Sequence, residues 1–494
     1  LIPENQSYAC YPDGGKKWMI YDTPTPKSSN FRSSEYLRAP RIFTKNEIFP
    51  VITVLGGEKY PYPEMINQNI ALDLEQDSKQ TQNIVFNKGL GTSWIDPGYE
   101  QSGVLKIEED SLHVQYDEYR PIRTRNEKLG RSETWTKEHD YHITYTILIP
   151  STATLTIKAG TRILVSKYAN FVVEGNIIIE GTQEDPVIIM PLESGENWGG
   201  IQINNLNSYS SISHCFITGG GGGSPSNIGR FQDQAIVSSY ADLVLDNVYL
   251  IENEGETVYM NNSHLEMQDC VISGLASGVE LEKSSSLINH CYFVDIPGTN
   301  AGVGAGDPMA ILSYGEKEGT TDEILIENSY FDDLDASGIQ IENQIDAIIK
   351  HSFFEGVAYV AIASLSGNLY VENSAIGTSG VGIYVYGNSK AVVDHLTFHN
   401  NNEAIRIING NIGGNNPGVQ IHNSVLSESD SDIYSEGSVS LELDFTLSTE
   451  LVHVGTGNIL GDPVFNDQGI SDYTLLPGSP CINSGDPSSA IDDD

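Results

Sequence analysis

A four-residue motif returns about every 22 residues through the middle of this 494-residue chain. It reads apolar, polar, then His or Asn (Asp in one copy), then Cys or Ser. The copies are Ile212-Ser213-His214-Cys215, Met267-Gln268-Asp269-Cys270, Ile288-Asn289-His290-Cys291, Ile326-Glu327-Asn328-Ser329, Ile349-Lys350-His351-Ser352, Val371-Glu372-Asn373-Ser374 and Ile421-His422-Asn423-Ser424. Self-similarity at a period of roughly 20–50 residues marks a solenoid, in which each repeat is one turn of a coil. A coil cannot bury its apolar face alone, so the core forms only when neighbours stack.

Aligning the repeats exposes a second strand per coil. Its members include Gly199-Gly200-Ile201-Gln202-Ile203-Asn204, Gly278-Val279-Glu280-Leu281-Glu282, Gly338-Ile339-Gln340-Ile341-Glu342, Gly382-Ile383-Tyr384-Val385-Tyr386 and Ala404-Ile405-Arg406-Ile407-Ile408. Side chains of a strand alternate between faces. Val279, Leu281, Ile339, Ile341, Ile383, Val385, Ile405 and Ile407 are therefore expected to point into the coil. One outward column then holds Gln202, Glu280, Gln340, Tyr384 and Arg406, and its neighbour holds Asn204, Glu282, Glu342, Tyr386 and Ile408.

The chain has 48 Gly, 9% aromatic residues and no long amphipathic helical pattern, which is strand-and-turn chemistry. With 67 acidic residues against 26 basic ones the formal charge is −41. Nucleic acid and anionic membrane surfaces would be repelled as direct ligands. The acidity reads either as solubility outside the cell or as a cation-binding surface. Five cysteines do not make a disulfide framework. Cys215, Cys270 and Cys291 share a motif position with Ser329, Ser352, Ser374 and Ser424, as small residues stacked in one column; a disulfide between coils is the other reading. No run of about 18 apolar residues appears, so no helical membrane span is expected.

Composition and motifs divide the chain into residues 1–30, a β-rich region 31–145, the solenoid 146–445 and a C-terminal cap 446–494. The first piece, with Ser7-Tyr8, Pro12-Asp13-Gly14, Trp18, Thr23-Pro24-Thr25-Pro26 and Asn30, resembles the close of lamin-tail domains of bacterial surface proteins. Glu196-Asn197-Trp198-Gly199-Gly200-Ile201 resembles a turn frequent in right-handed parallel β-helix proteins. That resemblance to the pectate-lyase-like superfold spans roughly residues 145–490. It implies an all-β, right-handed parallel β-helix behind a smaller β-rich N-terminal region. Gly461-Asp462-Pro463-Val464-Phe465, Asp472-Tyr473, Pro477-Gly478-Ser479-Pro480 and Gly485-Asp486-Pro487 resemble the end of secreted bacterial β-helix proteins. By analogy with Bacteroidota-like surface proteins, a type IX secretion sorting domain would follow. The start at Leu1 and the stop at Asp494 lead one to expect a longer protein. Three Gly-rich stretches, 219–223, 297–322 and 410–418, read as loops bulging from the coil, where solenoids often carry binding function.

The superfold includes polysaccharide lyases and glycosidases, so catalytic groups need individual weighing. Lys350, between Glu327 and Glu372 on adjacent coils, reads as an ion-pair ladder. Asp332-Asp333 with Asp335 is the nearest match to a glycosidase Asp pair. It falls at a coil corner, where Asp forms turns, and no Gly-His-Gly segment accompanies it. His214, His290, His351 and His395 share the column of Asn247, Asp269, Asn328, Asn373 and Asn423, where corner hydrogen bonding accounts for them. The candidate binding face is Glu280, Glu282, Gln340, Glu342, Tyr384, Tyr386 and Arg406, with Arg406 expected to stack on Tyr384 or to serve a sugar chain. No motif calls for a cofactor. Ca²⁺ is the one ion the acidic clusters could take, at either of two places: the C-terminal cap, with Asp462, Asp486 and Asp492 as ligands beside Asp493 and Asp494, or the sheet face lined by Glu280, Glu282 and Glu342.

The resulting expectation is a secreted or outer-surface protein with a structural or adhesive role, without catalysis. Its partners would be polysaccharide or other proteins of a surface or secretion assembly, of which it could itself be a component or cargo. Nucleic acid and direct membrane insertion are not expected. The rival expectation is a polysaccharide lyase or glycoside hydrolase working on the outer sheet face. A groove with converging carboxylates and a base would mark the enzyme, and flat ladders the adhesin.

Overall fold

The computed structural model describes residues 7–11, 17–21, 84–86, 93–95, 103–108 and 111–116, then 122–487 apart from 127, 184, 193–195, 205–208, 223–233, 275–276, 299–307, 316–322, 343–344, 411–415, 451–452 and 468–470. Strands are the only regular elements among them, and no helix there is long and apolar enough to cross a membrane. Ser7–Tyr11 pairs antiparallel with Lys17–Tyr21 across the Pro12-Asp13-Gly14 segment. Four further antiparallel strands, ending in Gly103–Glu108 and Ser111–Tyr116, form a sheet of their own. The run Phe49-Pro50-Val51-Ile52-Thr53-Val54, whose alternation is one ground for expecting a β-rich region at 31–145, lies outside the described residues.

From Ile122 the strands run parallel and stack coil on coil, ending with Leu447–Ser448 against Ile459–Leu460. The chain is thus an all-β, right-handed parallel β-helix. It starts ahead of the boundary expected at residue 145: Ile122–Arg125 already pairs with Asp140–Ile143, and being short and largely exposed it leaves no alternating apolar pattern in the sequence. Trp135 and Tyr141 close that end of the core, stacked 4.5 Å apart. Beside them Arg162 clamps Asp140 with two hydrogen bonds, of 2.9 and 2.7 Å, both side chains being buried.

Each full coil has three straight segments. One contributes to a twelve-stranded sheet, and the other two are limbs of a single bent 24-stranded sheet. The repeated motif sits on the bend between the limbs. His214, Asn247, Asp269, His290, Asn328, His351, Asn373, His395 and Asn423 all have φ between 46° and 54°. Asn and Asp tolerate this left-handed conformation better than other non-Gly residues. The column is therefore selected first by backbone geometry. Side-chain bonds between coils come second, as in Asn328 Nδ2 to Asn289 Oδ1 at 2.8 Å and Asn423 Nδ2 to Asp394 Oδ1 at 2.9 Å. The other two corners repeat the device, with Glu252, Asp295, Asp333, Thr378 and Asn400 at one and Tyr240, Asn262, Lys283, Gly315 and Gly387 at the other.

Seven of the nine bends between the limbs are followed by a buried Ser or Cys, and the bends at Asn247 and His395 by Val248 and Leu396. Ser352 Oγ donates to the Lys350 carbonyl at 2.8 Å and accepts the Ser329 N–H at 3.2 Å. Ser374 does the same for Glu372 and Ser352, at 2.8 and 3.0 Å. This ladder satisfies backbone groups that the bend removes from the sheet. Cys270 and Cys291 fill the same position as free thiols, and their Sγ atoms reach the carbonyls of Gln268 and Asn289 at 3.3 and 3.4 Å.

Inside, all eight residues assigned to the core from alternation are fully buried. Each contributes about 1.5–3 kcal/mol by leaving water. Phe293, Phe331 and Phe354 stack face to face, with centroids 4.8 and 4.5 Å apart. The glycines that open the twelve-stranded rungs have a steric cause. A Cβ on Gly278, Gly338 or Gly382 would strike the carbonyl oxygen of Ala310, Ala361 or Ala404 on the next coil.

Two segments depart from expectation. Residues 297–322 contain a rung, Met309–Tyr314, between Val279–Glu282 and Ser337–Ile341. Its alternation is short and flanked by Gly, Asp and Thr, which hid it. Beyond the last coil, the hairpin of Phe465–Asp467 and Asp472–Leu475 lies back along the side of the coil. Tyr473 Oη meets Glu355 Oε2 at 3.1 Å, and its ring lies 5.2 Å from His399.

Candidate active site

The outer face of the twelve-stranded sheet is built from three columns. Register places Gln202, Val237, Tyr259, Glu280, Leu312, Gln340, Ala363, Tyr384, Arg406 and Tyr434 in succession along one column. Asn261, Glu282 and Tyr314 follow one another in the second. A third lies one position before the Gly or Ala that opens most rungs; it runs through Met309 and Ser337, then Val360, Val381 and Glu403, and Glu256, against Glu280, lies on the same face.

Three carboxyls converge in the middle of this surface. Glu280 and Glu282 lie two positions apart on one strand, both half-buried. Tyr314, on the next coil, donates its hydroxyl to Glu280 Oε1 at 2.6 Å. Tyr259, on the preceding coil, donates to Glu282 Oε2, and Asn261 Nδ2 donates to the Tyr259 hydroxyl at 3.3 Å. Glu256 shares a hydrogen bond with Glu280 and is itself held by Gln234 Nε2 at 2.6 Å.

This setting changes the acid–base behaviour of Glu280. Burial, opposed by the Tyr314 hydrogen bond and reinforced by Glu256 and then Glu282, pushes its carboxyl from 4.5 up to about 7. Burial, with the hydrogen bond to Glu282 next, moves Tyr259 up to about 12. Tyr314 is raised further, by burial and then by Glu280. Both phenols stay protonated and act as fixed donors. The cluster can therefore hold a transferable proton on Glu280 near neutral pH, which is the property a general acid needs.

The seven residues expected on the binding face do not form one site. Glu280 and Glu282 belong to the cluster. Gln340 is fully buried, with its amide bonded to Glu342 Oε1 at 2.6 Å, so its role is internal support rather than ligand contact. Tyr384, Tyr386 and Arg406 lie further along the face. Arg406 is gripped by Glu403 through two hydrogen bonds of 2.6 Å. Its guanidinium lies 5.6 Å over Tyr434, the ring on the following coil, where stacking on Tyr384 had been expected. Glu256, Tyr259 and Tyr314 were not anticipated. The visible signal was the Val-Tyr-Met alternation at Tyr259, on a rung without the opening glycine.

The other candidates resolve simply. Lys350 pairs with Glu372 at 3.2 Å. Asp333 occupies a left-handed corner with φ of 50°. Asp462 Oδ1 accepts the Val464 N–H at 2.8 Å, and the Asp486 N–H donates to Asn423 Oδ1 at 2.7 Å. Asp492 lies outside the described residues. Among the described residues no group of three or more His, Cys, Asp or Glu is placed to hold a metal ion.

The fold is reflected in family comparisons. Residues 128–217 match the model of a pectate-lyase like beta helix domain, and residues 309–446 match that of a right handed beta helix region. No curated protein matches. Among solved structures, the chain is similar to a periplasmic alginate epimerase at 11% identity, covering 64% of this chain and 77% of that one with a TM-score of 0.44. It is also similar to the catalytic domain of a GH87 alpha-1,3-glucanase in complex with nigerose, at 14% identity, 58% and 63% coverage and a TM-score of 0.39. A third is the A-module of an Azotobacter vinelandii mannuronan C-5 epimerase, at 10% identity, 64% and 90% coverage and a TM-score of 0.24.

Proposed function

We propose that this protein is a polysaccharide-acting enzyme of the outer cell surface or secreted fraction, hydrolysing glycosidic bonds on the twelve-stranded sheet face. The observation that carries this reading is the convergence of Glu256, Glu280 and Glu282 with two tyrosine donors, which leaves Glu280 protonated to about pH 7. A flat adhesive surface has no use for such an arrangement, and the burial of carboxyls works against stability.

In this reading Glu280 gives its proton to the glycosidic oxygen as the bond from the anomeric carbon to that oxygen breaks. Glu282 is the second carboxyl. Glu280 and Glu282 are two positions apart on one strand face, ~6.6 Å along the backbone, and hydrolysis takes the inverting form, in which a water stands between two carboxyl groups about 6.5–9.5 Å apart. Glu282 takes a proton from that water as it attacks the anomeric carbon. A lyase is less well served. Elimination needs a base and a positive charge to offset a uronate carboxylate. No Lys or Arg occupies the three outward columns on the described rungs from Ile201 to Tyr386.

A panel of neutral and acidic polysaccharides, followed both by reducing ends and by the absorbance of unsaturated products, tests the reading. Reducing ends from a neutral glycan, without unsaturated product, are expected. Unsaturated product from a uronan would replace hydrolysis with elimination. Silence from folded protein across the panel would return the chain to the non-catalytic surface reading.

A further inference from the structure

Beyond the carboxyl cluster, the same face carries a recess of about 280 Å³, near the lower end of the size range of small-molecule sites. Val360 and Val381 make its floor, and Tyr359 forms a wall. Asn402, Glu403 and Arg406 make the polar edge. Val360, Val381 and Ala363 are buried on the outer side of the sheet, under Tyr359 and Tyr384, and form an apolar cluster separate from the coil's interior. An apolar floor, an aromatic wall and a few fixed polar groups are the composition of a small-molecule site.

We infer that this recess is a remote subsite for a neutral sugar ring of the same glycan chain that is cleaved at Glu280. The inference rests on the proposed hydrolase reading and extends it. The apolar floor and Tyr359 suit the C–H face of a pyranose. Arg406 and Glu403 hold each other in a fixed plane, with N–H donors on one and lone pairs on the other left for adjacent hydroxyls. Because Glu403 already offsets the Arg406 charge, the edge has no net attraction for a carboxylate. The acid-rich cluster further along the face would repel one, which excludes uronans and selects an uncharged chain.

Position supports the link between the two places. Along one column, Glu280, Leu312, Gln340, Ala363, Tyr384 and Arg406 are successive neighbours. The recess spans the rungs of Val360, Val381 and Arg406, three to five steps of ~4.8 Å, which sets it ~14–24 Å from Glu280. An extended glycan lying along the coil axis would reach both, and a short oligosaccharide would reach only one. The recess then sets which chains are long enough to be held well.

The test uses the Glu280→Gln protein, so that ligands are not consumed, and calorimetric titration with short and long neutral gluco-, xylo- and manno-oligosaccharides. Oligogalacturonate serves as the acidic probe. Arg406→Met and, separately, Val381→Phe (which fills the recess) should weaken binding of long neutral chains about tenfold and leave short ones unchanged. Unfolding midpoints of both variants establish that they are folded. Unchanged affinity in both variants, tighter binding of oligogalacturonate, or no binding by any neutral chain overturns the subsite. Turnover that persists in Glu280→Gln overturns instead the role of Glu280 as the acid of the proposed hydrolysis, whatever the recess binds.

Discussion

Replacing Glu280 by Gln should stabilise the protein at alkaline pH and leave it unchanged in acid. The folded carboxyl titrates at about 7, against 4.5 when it is free of its surroundings. Between those values the folded chain keeps a proton that the unfolded chain has released, so stability falls as pH rises through this window and stays lower above it. A shift of that size is worth about 3 kcal/mol for a group cut off from water. Solvent reaching this half-buried carboxyl reduces it to ~1–2 kcal/mol. Gln carries no charge to desolvate and can still accept the Tyr314 hydroxyl. The assay is urea denaturation of wild type and Glu280→Gln at a series of pH values, read as the difference between them. That difference should be near zero below pH 4.5 and grow to ~1–2 kcal/mol in favour of Gln above pH 7. Glu256→Gln should lower the Glu280 titration, because Glu256 is one of the groups that raise it. A Gln variant less stable than wild type at alkaline pH, or a difference that does not vary with pH, would refute the reasoning.

The remaining predictions concern the scaffold. Ile341 is fully buried in the stacked core, so Ile341→Ala should cost about 2–5 kcal/mol and Ile341→Asp should prevent folding, as read by thermal denaturation and expression of soluble protein. Asn373 has φ of 48° at the bend; Asn373→Val should destabilise by ~1–2 kcal/mol in urea while Asn373→Gly stays within a few tenths, whereas a side-chain hydrogen-bond role alone would give a similar loss in both. Gly377 lies under the Tyr473 hydroxyl and the Glu355 carboxylate, where a Cβ would collide with both; Gly377→Ala should expose the C-terminal hairpin to limited proteolysis while the circular dichroism of the coil is unchanged.

Much of the coil was legible because its causes are local and repeated. The alternation at Ile339-Gln340-Ile341 and Ile405-Arg406-Ile407 placed core residues correctly, since burial on one face of a strand leaves a period-two pattern. The bend motif was equally visible, but its dominant cause lay in φ, which the residue types His214, Asn328 and Asn423 suggest only weakly. The candidate site was hard to read for a different reason. Glu256, Tyr259, Glu280, Glu282 and Tyr314 lie on three coils, and two of those rungs, opened by Thr257 and Ala310, lack the opening glycine that makes others easy to align. Insertions on both sides of Met309–Tyr314 break the 22-residue rhythm, so nothing in the sequence sets Tyr314 opposite Glu282. Arg406 stood out in the sequence because cations are scarce, yet its charge is answered three residues away by Glu403. An outward column identifies neighbours along the coil axis, but a partner such as Glu403 comes from a column that starts beyond the corner.

The most direct measurement is turnover of a neutral polysaccharide by wild type, Glu280→Gln and Glu282→Gln in parallel, followed by reducing-end release. The account predicts that wild type cleaves with a loss of rate as pH rises past about 7, where Glu280 gives up its proton. Each Gln variant should be folded and slower by about 10²–10⁴-fold. Full activity in Glu280→Gln, or a rate that climbs steadily above that pH, would contradict it.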